Sequence, residues 1–597
     1  SMGGITGRLY QQFAITIAVS VLFSSLNALT LSPALCSLIL RKSKPSKGIL
    51  GKFFTGFNNT FDRTSVGYMK FTNIVGRKIK RSIVFIVVIS ASILLVGKFI
   101  PGGFVPEEDQ GYFYVNIQLP DASSIQRSDV IARQVEDILM SHDEEIKYVT
   151  TATGYSLLSN SMAPNAGFLF ITTTDWDERD NTVNEIVQAL NMEFRQKIKG
   201  AAVFAFGPPA IPGLGSGSGF TLMLQDRLGN TPAYLSAEAA KYIAAAQQRP
   251  EIGSIFTTYR SNVPQRYLDI DIDNALKMGV PLGELYSTVG AFLGGAYVSD
   301  FNRFGRLYKA FIQAEPEYRL NADKLNLFFI RNDKGENVPL ATLITVREAS
   351  GPDYTVRFNL LRSVELSGQP APGYSSADAL DALEEVAGEV LPQGVGYAWA
   401  NMSYQEKMAG GAGSIVFVFA LVFVFLILAA QYESWSLPFS ILLGTPFAIF
   451  GAMLFVAIFR IFSPSFENNV FMQISLVMLI AMAAKNAILI VEFANLEFEK
   501  GLKLYDAAMK AAKLRFRPIL MTAFSFILGI FPLILASGAG AEARKVMGVA
   551  LLGGMVLATI LGVFFYPMLF VFIGKIAKYE QKRDKKLAEA SSKNPES

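Results

Sequence analysis

The stretch "LVMLIAMAAKNAILIVEF", residues 476–493, is apolar throughout except for Lys485 and Asn486 near its middle and Glu492 near its end. An ammonium group at the centre of a membrane helix costs roughly 2.5–3.5 kcal/mol on insertion scales. Snorkelling does not relieve this cost, because the helix end near Glu497 lies about 18 Å away at 1.5 Å per residue. Lys485 must face protein or water, and it requires an anionic partner. Glu492 shares its helix face but stands about two turns away. The cores of the other apolar runs contain no Asp or Glu. A second polar pair, Arg515 and Thr522, sits seven residues apart at the start of another apolar run. Taken alone, Arg515 reads better as a cytoplasmic anchor, and Thr522 as a hydroxyl bonded to its own helix backbone.

These side chains need a membrane scaffold, and the composition supplies one. The 597 residues are 51% hydrophobic and only 17% charged, with 47 Phe and a net charge of +4. That balance fits a membrane protein with a substantial polar part and gives no global field for nucleic acid. Cys36 is the single cysteine, so an internal disulfide and a cysteine-rich metal site are excluded. His142, the single histidine, cannot build a histidine metal site. No G-x-x-x-x-G-K-[ST] loop is present, which argues against ATP hydrolysis.

Seven runs reach the length of about 20 residues that a bilayer requires: 13–40, 81–100, 413–431, 438–460, 470–496, 517–537 and 546–573. A long polar stretch, 101–410, separates the second from the third. Lys and Arg crowd residues 41–81, the 500–517 loop and the tail after 574, which places these on the cytoplasmic side and 101–410 outside. The basic 41–80 segment is expected to include an amphipathic helix on the membrane surface. The first apolar run is too long for a signal peptide. A seven-span chain beginning outside reads as the rear part of something longer.

Within 101–410 the pattern alternates between periods of two and of 3.6 residues. "YFYVNIQLP", a helix at 124–141, "IKYVTTATG", "AGFLFITTT", a helix at 182–198 and "AAVFAFG" give the order β-α-β-β-α-β, a split βαβ or ferredoxin-like unit. A second round uses "FTLMLQ", a helix at 232–248, "IGSIFTTYR", "TVRFNLLRSVELSGQ", a helix at 375–390 and "VGYAWANMS". An insert at about 265–345 interrupts it, with a long hairpin, "GGAYVSDFNRFGRLYKAFIQAE". The expected fold is a membrane helical bundle plus a large α+β region of such subdomains.

The motifs "AKNAILIVEFA", "RFRPILMT", "AAQYESWSLPFSILL", "LSPALC", "EDQGYF", "VFAFGPPAI" and "MSYQE" occur in one order along the chain. Together they resemble the C-terminal half of a resistance-nodulation-division (RND) multidrug efflux pump, of the hydrophobic-amphiphilic branch. The resemblance covers essentially the whole chain and matches spans six to twelve of the family's twelve. It implies a drug–proton antiporter of the bacterial inner membrane, driven by the proton gradient without a cofactor and not an enzyme. It also implies a trimer working with a periplasmic adaptor and an outer-membrane channel.

By the same resemblance, Lys485 pairs with two adjacent aspartates on family span four. That span belongs to an N-terminal half to be supplied by the same or another chain. Arg515 and Thr522 join this relay. The drug pocket takes Phe170, Phe204 and Phe206, with Tyr155 and Leu157 on its switching loop. Family members often carry Phe at both loop positions, so this pocket should differ in shape. The Gly- and Pro-rich loop 207–219 reads as a plain linker or as a gate. The hairpin, with Gly294, Gly295, Tyr297, Asp300, Gly305 and Arg306, would dock toward the outer-membrane channel. Two rival readings remain. One is a metal-efflux pump, although Met140, Met162, Met192, Met223, Met278, Met402 and Met408 are scattered along the sequence. The other is a non-transporting half, because the aspartates and the first external loop are missing.

Overall fold

The computed structural model describes residues 3–40, 48–410 and 412–581. The basic residues Arg41, Lys42, Lys44 and Lys47 and the basic tail from Lys582 lie outside the described residues.

Among the described residues, six stretches are helical, long and apolar enough to cross a membrane: Gly4–Ile39, Ile79–Gly97, Leu437–Arg460, Val470–Glu499, Leu504–Ile534 and Ala541–Ile576. The expected third span is the Ala412–Gln431 helix, whose apolar part, Ile415–Gln431, falls short of the others. Glu433, in the left-handed region at φ 49°, follows its end. Several spans are not continuous helices. Leu437–Leu442 breaks from Thr445–Arg460 at Gly444, where the Tyr566 ring leaves no room for a Cβ. The last span passes through a π-helical turn, Ala558–Gly562, which widens the helix beside that same ring.

Small residues set a close helix contact. A Cβ on Gly451 would lie 2.3 Å from the Gly553 carbonyl oxygen, and one on Gly553 would lie 2.4 Å from that of Gly451. The two backbones touch because neither position carries a side chain. The Gly4–Leu29 helix behaves differently: Thr6 and Gly7 are its only buried residues, Ile5, Leu9, Tyr10 and Phe13 pack against Phe104, Val470 and Ile474, and apolar side chains from Ile15 onward, such as Leu22, Phe23 and Leu29, project outward. Residues Ile49–Arg77 form one amphipathic helix anchored by Tyr68, which stacks on Phe516 at 4.1 Å and donates to the Val563 carbonyl at 3.1 Å.

The α+β region holds two sandwiches with one topology. The first sheet orders its strands Ile146–Ser156, Ser161–Thr173, Tyr112–Gln118 and Ala202–Phe206, all antiparallel. Period-two alternation buries Phe113, Val115 and Ile117 against Ile131, Val135, Ile186 and Phe194 of the helices Ile125–Met140 and Val183–Lys197. Ser124 caps the first helix, and Thr182 with Glu185 forms a capping box on the second. The second sheet repeats the order with Ile252–Phe256, Leu361–Pro370, Phe220–Asp226 and Val395–Trp399. Its helices are Pro232–Ala246 and Ser376–Val390.

The insert leaves the second sandwich on a two-stranded stalk, Val263–Ile270 paired with Ile344–Gly351, so it runs somewhat beyond the expected bounds. It has its own small core around Leu285, Leu340 and Leu343.

Candidate functional site

Lys485 lies near the middle of the Val470–Glu499 helix, and its side chain is exposed. Its neighbours Ala483, Ala484, Asn486 and Ala487 pack inside the bundle. The lysine therefore projects from an open face, and no carboxylate pairs with it among the described residues. Glu492 is exposed as well. The Asn486 amide nitrogen is buried without a hydrogen-bond partner among the described residues. An ammonium group on such a face needs an external anion to be stable in a membrane.

Arg515 and Thr522 sit on the Leu504–Ile534 helix, on either side of Pro518. Pro518 lacks an N–H, so the Leu514 carbonyl loses its helical donor and the turn carrying Arg515 is free to bend. The Arg515 guanidinium lies 4.4 Å from the Phe493 ring centre, a cation–π contact, and its Nε is buried without a partner among the described residues. The Thr522 hydroxyl donates to the Ile519 carbonyl at 3.0 Å, the plain local bond. No hydrogen bond or ion pair joins Lys485, Arg515 and Thr522 among the described residues. They occupy two helices that pack together, and they form no closed cluster in this chain.

The face of the first sheet away from its helices is aromatic. Phe204 and Phe206 lie 5.8 Å apart between ring centres. Phe206 approaches Tyr114 at 5.6 Å, and Phe170 stacks on Tyr112 at 5.1 Å. Phe204 also meets Phe256 of the second sheet at 5.2 Å, so the aromatic face lies where the two sandwiches approach. Phe206 is only 7% exposed, whereas Phe170 is 36% exposed. Tyr155 packs its edge on Phe168 and donates to Asn160, and Leu157 lies in the turn that follows. Loop 207–219 closes on this face. Gly217 rests on the Phe206 ring, where a Cβ would clash at 2.7 Å, and the Ser218 N–H donates to the Gly207 carbonyl at 2.9 Å. Tyr112, Tyr114, Phe168 and Phe256 were not among the expected pocket residues. For Tyr112 and Tyr114 the signal was in the alternation of "YFYVNIQLP", whose Tyr residues alternate with the core residues Phe113 and Val115; Phe168 and Phe256 lie on other strands.

The hairpin pairs Ala296–Arg303 with Arg306–Ile312. Phe304 and Gly305 both have positive φ, 54° and 72°, the two-residue turn whose twist suits a hairpin. Gly294 ends a π-helical turn, and Gly295, at φ 93°, redirects the chain into the first strand. Tyr297 packs edge-on against Phe311, Asp300 stands opposite Lys309, and Arg306 stands opposite Arg303. Phe304, Leu307 and Phe311 are exposed.

A profile of the AcrB/AcrD/AcrF family matches residues 1–574. The chain belongs to the AcrB/AcrD/AcrF family. The toluene efflux pump membrane transporter TtgB of Pseudomonas putida is 37% identical over 580 residues, which cover 96% of this chain and 54% of TtgB. The antibiotic efflux pump membrane transporter ArpB of Pseudomonas putida is 37% identical over 584 residues, with the same shares. The multidrug export protein AcrF of Escherichia coli is 37% identical over 586 residues, 96% of this chain and 56% of AcrF. The chain thus spans about half the length of the curated relatives it matches. Membership fits the RND resemblance drawn from the motifs and, with the apolar helical stretches, makes the chain a multi-pass membrane protein.

Proposed function

We propose that this chain is the C-terminal half of a drug–proton antiporter of the bacterial inner membrane, with the α+β region periplasmic and the C-terminus cytoplasmic. Lys485, exposed in the middle of a membrane span and without a carboxylate partner among the described residues, carries the proposal. Paired aspartates from an N-terminal half, on the same or another chain, would meet it. Two unit charges 4 Å apart attract by about 4 kcal/mol at an effective dielectric constant of 20. Protonating the carboxylate removes that attraction and lets the helices repack, a two-state element biased by a proton. Arg515 and Thr522 lie on the neighbouring helix, where they would pass on the change. The aromatic face suits hydrophobic and amphiphilic compounds, because rings offer area with loose directional demands. Loop 207–219 would act as its gate. The exposed hairpin would dock toward an outer-membrane channel in a trimer joined by a periplasmic adaptor. The names of the relatives, efflux pumps for toluene, antibiotics and drugs, agree with this reading.

A metal-efflux role finds no support. It would want a methionine cluster for soft ions, whereas Met140, Met162, Met192, Met223 and Met278 lie on separate segments and Met402 and Met408 stand six residues apart on one helix, Asn401–Ala409.

Phe170→Ala tests the pocket with little risk to folding, since the ring is partly exposed. In a complete pump its loss is expected to change export of large apolar compounds by about tenfold, from the apolar contact removed, while export of small ones changes little. Measured resistance profiles that keep their shape across compounds would count against the pocket assignment.

A further inference from the structure

The joint between the bundle and the α+β region holds charge that neither Lys485 nor the aromatic face uses. Residues 461–469 link two membrane helices and meet the lead-in to the first sandwich. Asn468 donates its backbone N–H to the Pro101 carbonyl at 2.9 Å, and Val470 donates to that of Phe104 at 3.1 Å. Gly102 and Asn468 form a parallel bridge, so the two segments run as one seam. Glu467 turns its side chain into this seam and is 8% exposed. Its carboxylate covers Gly103, where an added Cβ would lie 2.0 Å from Oε1. No hydrogen bond reaches that carboxylate among the described residues. The Asn468 side-chain oxygen is also buried without a partner among the described residues.

Four charged groups act on Glu467 from the surrounding elements: Glu406 of the Asn401–Ala409 helix, Asp378 of the Ser376–Val390 helix, Glu107 of the lead-in, and Arg460. Arg460 alone is cationic. It spends its donors on carbonyls: Pro464 at 3.0 Å, Phe466 at 3.4 Å and Gly373 at 3.3 Å. Lys407 turns away to Asp381 at 2.7 Å and Glu384 at 3.0 Å. Glu406 accepts from the Ser376 hydroxyl at 2.7 Å, and Asp378 is taken up by its capping bonds to Ser375. The seam therefore gathers more negative charge than it can neutralise, in a place with little water.

We propose that Glu467 and Glu406 form a proton-binding site at this seam, separate from Lys485, and that the bound proton keeps the bundle and the α+β region packed together. Burial first, then the nearby Glu406, pushes the Glu467 carboxyl up to about 8. Burial likewise raises Glu406 to about 7. Both values lie above the ordinary carboxylate range. The packed seam is thus favoured fully below about pH 4.5, and that support is lost as pH rises through 7 to 8. The inference requires only the geometry of the joint and does not depend on drug export.

The test is an infrared titration of the full chain in lipid nanodiscs from pH 5 to 10, with amide hydrogen exchange over residues 101–109 in the same samples. The native protein is expected to show a protonated-carboxyl band that disappears with a midpoint near 8. Exchange should quicken about tenfold across that midpoint. Glu467→Gln is expected to lose the component titrating near 8, keep that of Glu406 at lower pH, and keep slow exchange at high pH. Glu406→Gln, which retains the Ser376 contact, is expected to move the remaining midpoint to lower pH. Absence of the band, or a midpoint unchanged in Glu406→Gln, overturns the proposal even if Glu467→Gln fails to fold.

Discussion

An assembly carrying Lys485→Ala is expected to lose proton-coupled drug export down to the level of pump-free cells, while the chain stays in the membrane at unchanged abundance. The two halves of this expectation have separate causes. Lys485 is exposed, so its removal opens no cavity and breaks no ion pair within the described residues. Removing a mid-span ammonium group relieves an insertion cost of roughly 2.5–3.5 kcal/mol. Abundance should therefore hold. Export should fail because the proton-dependent attraction needs a cation at this position. Lys485→Arg keeps the charge but replaces a compact ammonium with a planar fork, and it should retain only part of the activity. Transport in energised membrane vesicles, with immunoblotting for abundance, separates these effects. Normal export by Lys485→Ala would remove the relay role.

A second large effect is expected from Asp109→Ala, in the "EDQGYF" motif. Asp109 Oδ1 accepts from the Gly111 N–H and Trp176 Nε1, each at 3.1 Å, and from Arg179 Nη2 at 2.6 Å. Oδ2 accepts from the Val183 N–H at 3.0 Å, at the start of a helix. The Arg179 side chain is 2% exposed, and its other donors go to the carbonyls of Thr174 and Asn181. Removing Asp109 strands a buried guanidinium, which costs about 3–5 kcal/mol. The first sandwich should open locally before the rest of the molecule. Amide exchange across 112–206 is expected to accelerate by at least about a hundredfold, with the bundle unaffected. Unchanged exchange there would show that Asp109 does not hold the sandwich.

Much of the α+β architecture was legible because it rests on local signals. Alternation in "YFYVNIQLP" and "AAVFAFG" marks strands, and Thr182 with Glu185 marks a helix start. The two sheets share a strand order that follows from β-α-β-β-α-β connectivity. The helix breaks were less legible. Gly444 reads as an ordinary apolar-helix glycine until Tyr566, more than 100 residues away in sequence, is found pressed against it. Sequence periodicity cannot report such a distant contact. The aromatic face was half visible: Phe204 and Phe206 stood out, whereas Tyr112, Tyr114 and Phe168 are fixed beside them only by strand register. Glu467 gave no signal, and Glu406 stood out only as the last residue of the "MSYQE" motif. Each is an unremarkable carboxylate in its own segment, and their burial comes from three segments meeting at the seam. Arg515 and Thr522 show the opposite case, since the family resemblance placed them in a relay and no hydrogen bond or ion pair among the described residues joins them.

The account rests on Lys485 being one half of an ion pair whose other half lies outside residues 1–597. Zero-length carbodiimide cross-linking in native membranes, mapped by mass spectrometry, tests this directly. The expected result is a bond from Lys485 to an aspartate in a membrane span that is not part of this sequence. A bond from Lys485 to Glu492 or to any other carboxylate of this chain would contradict it.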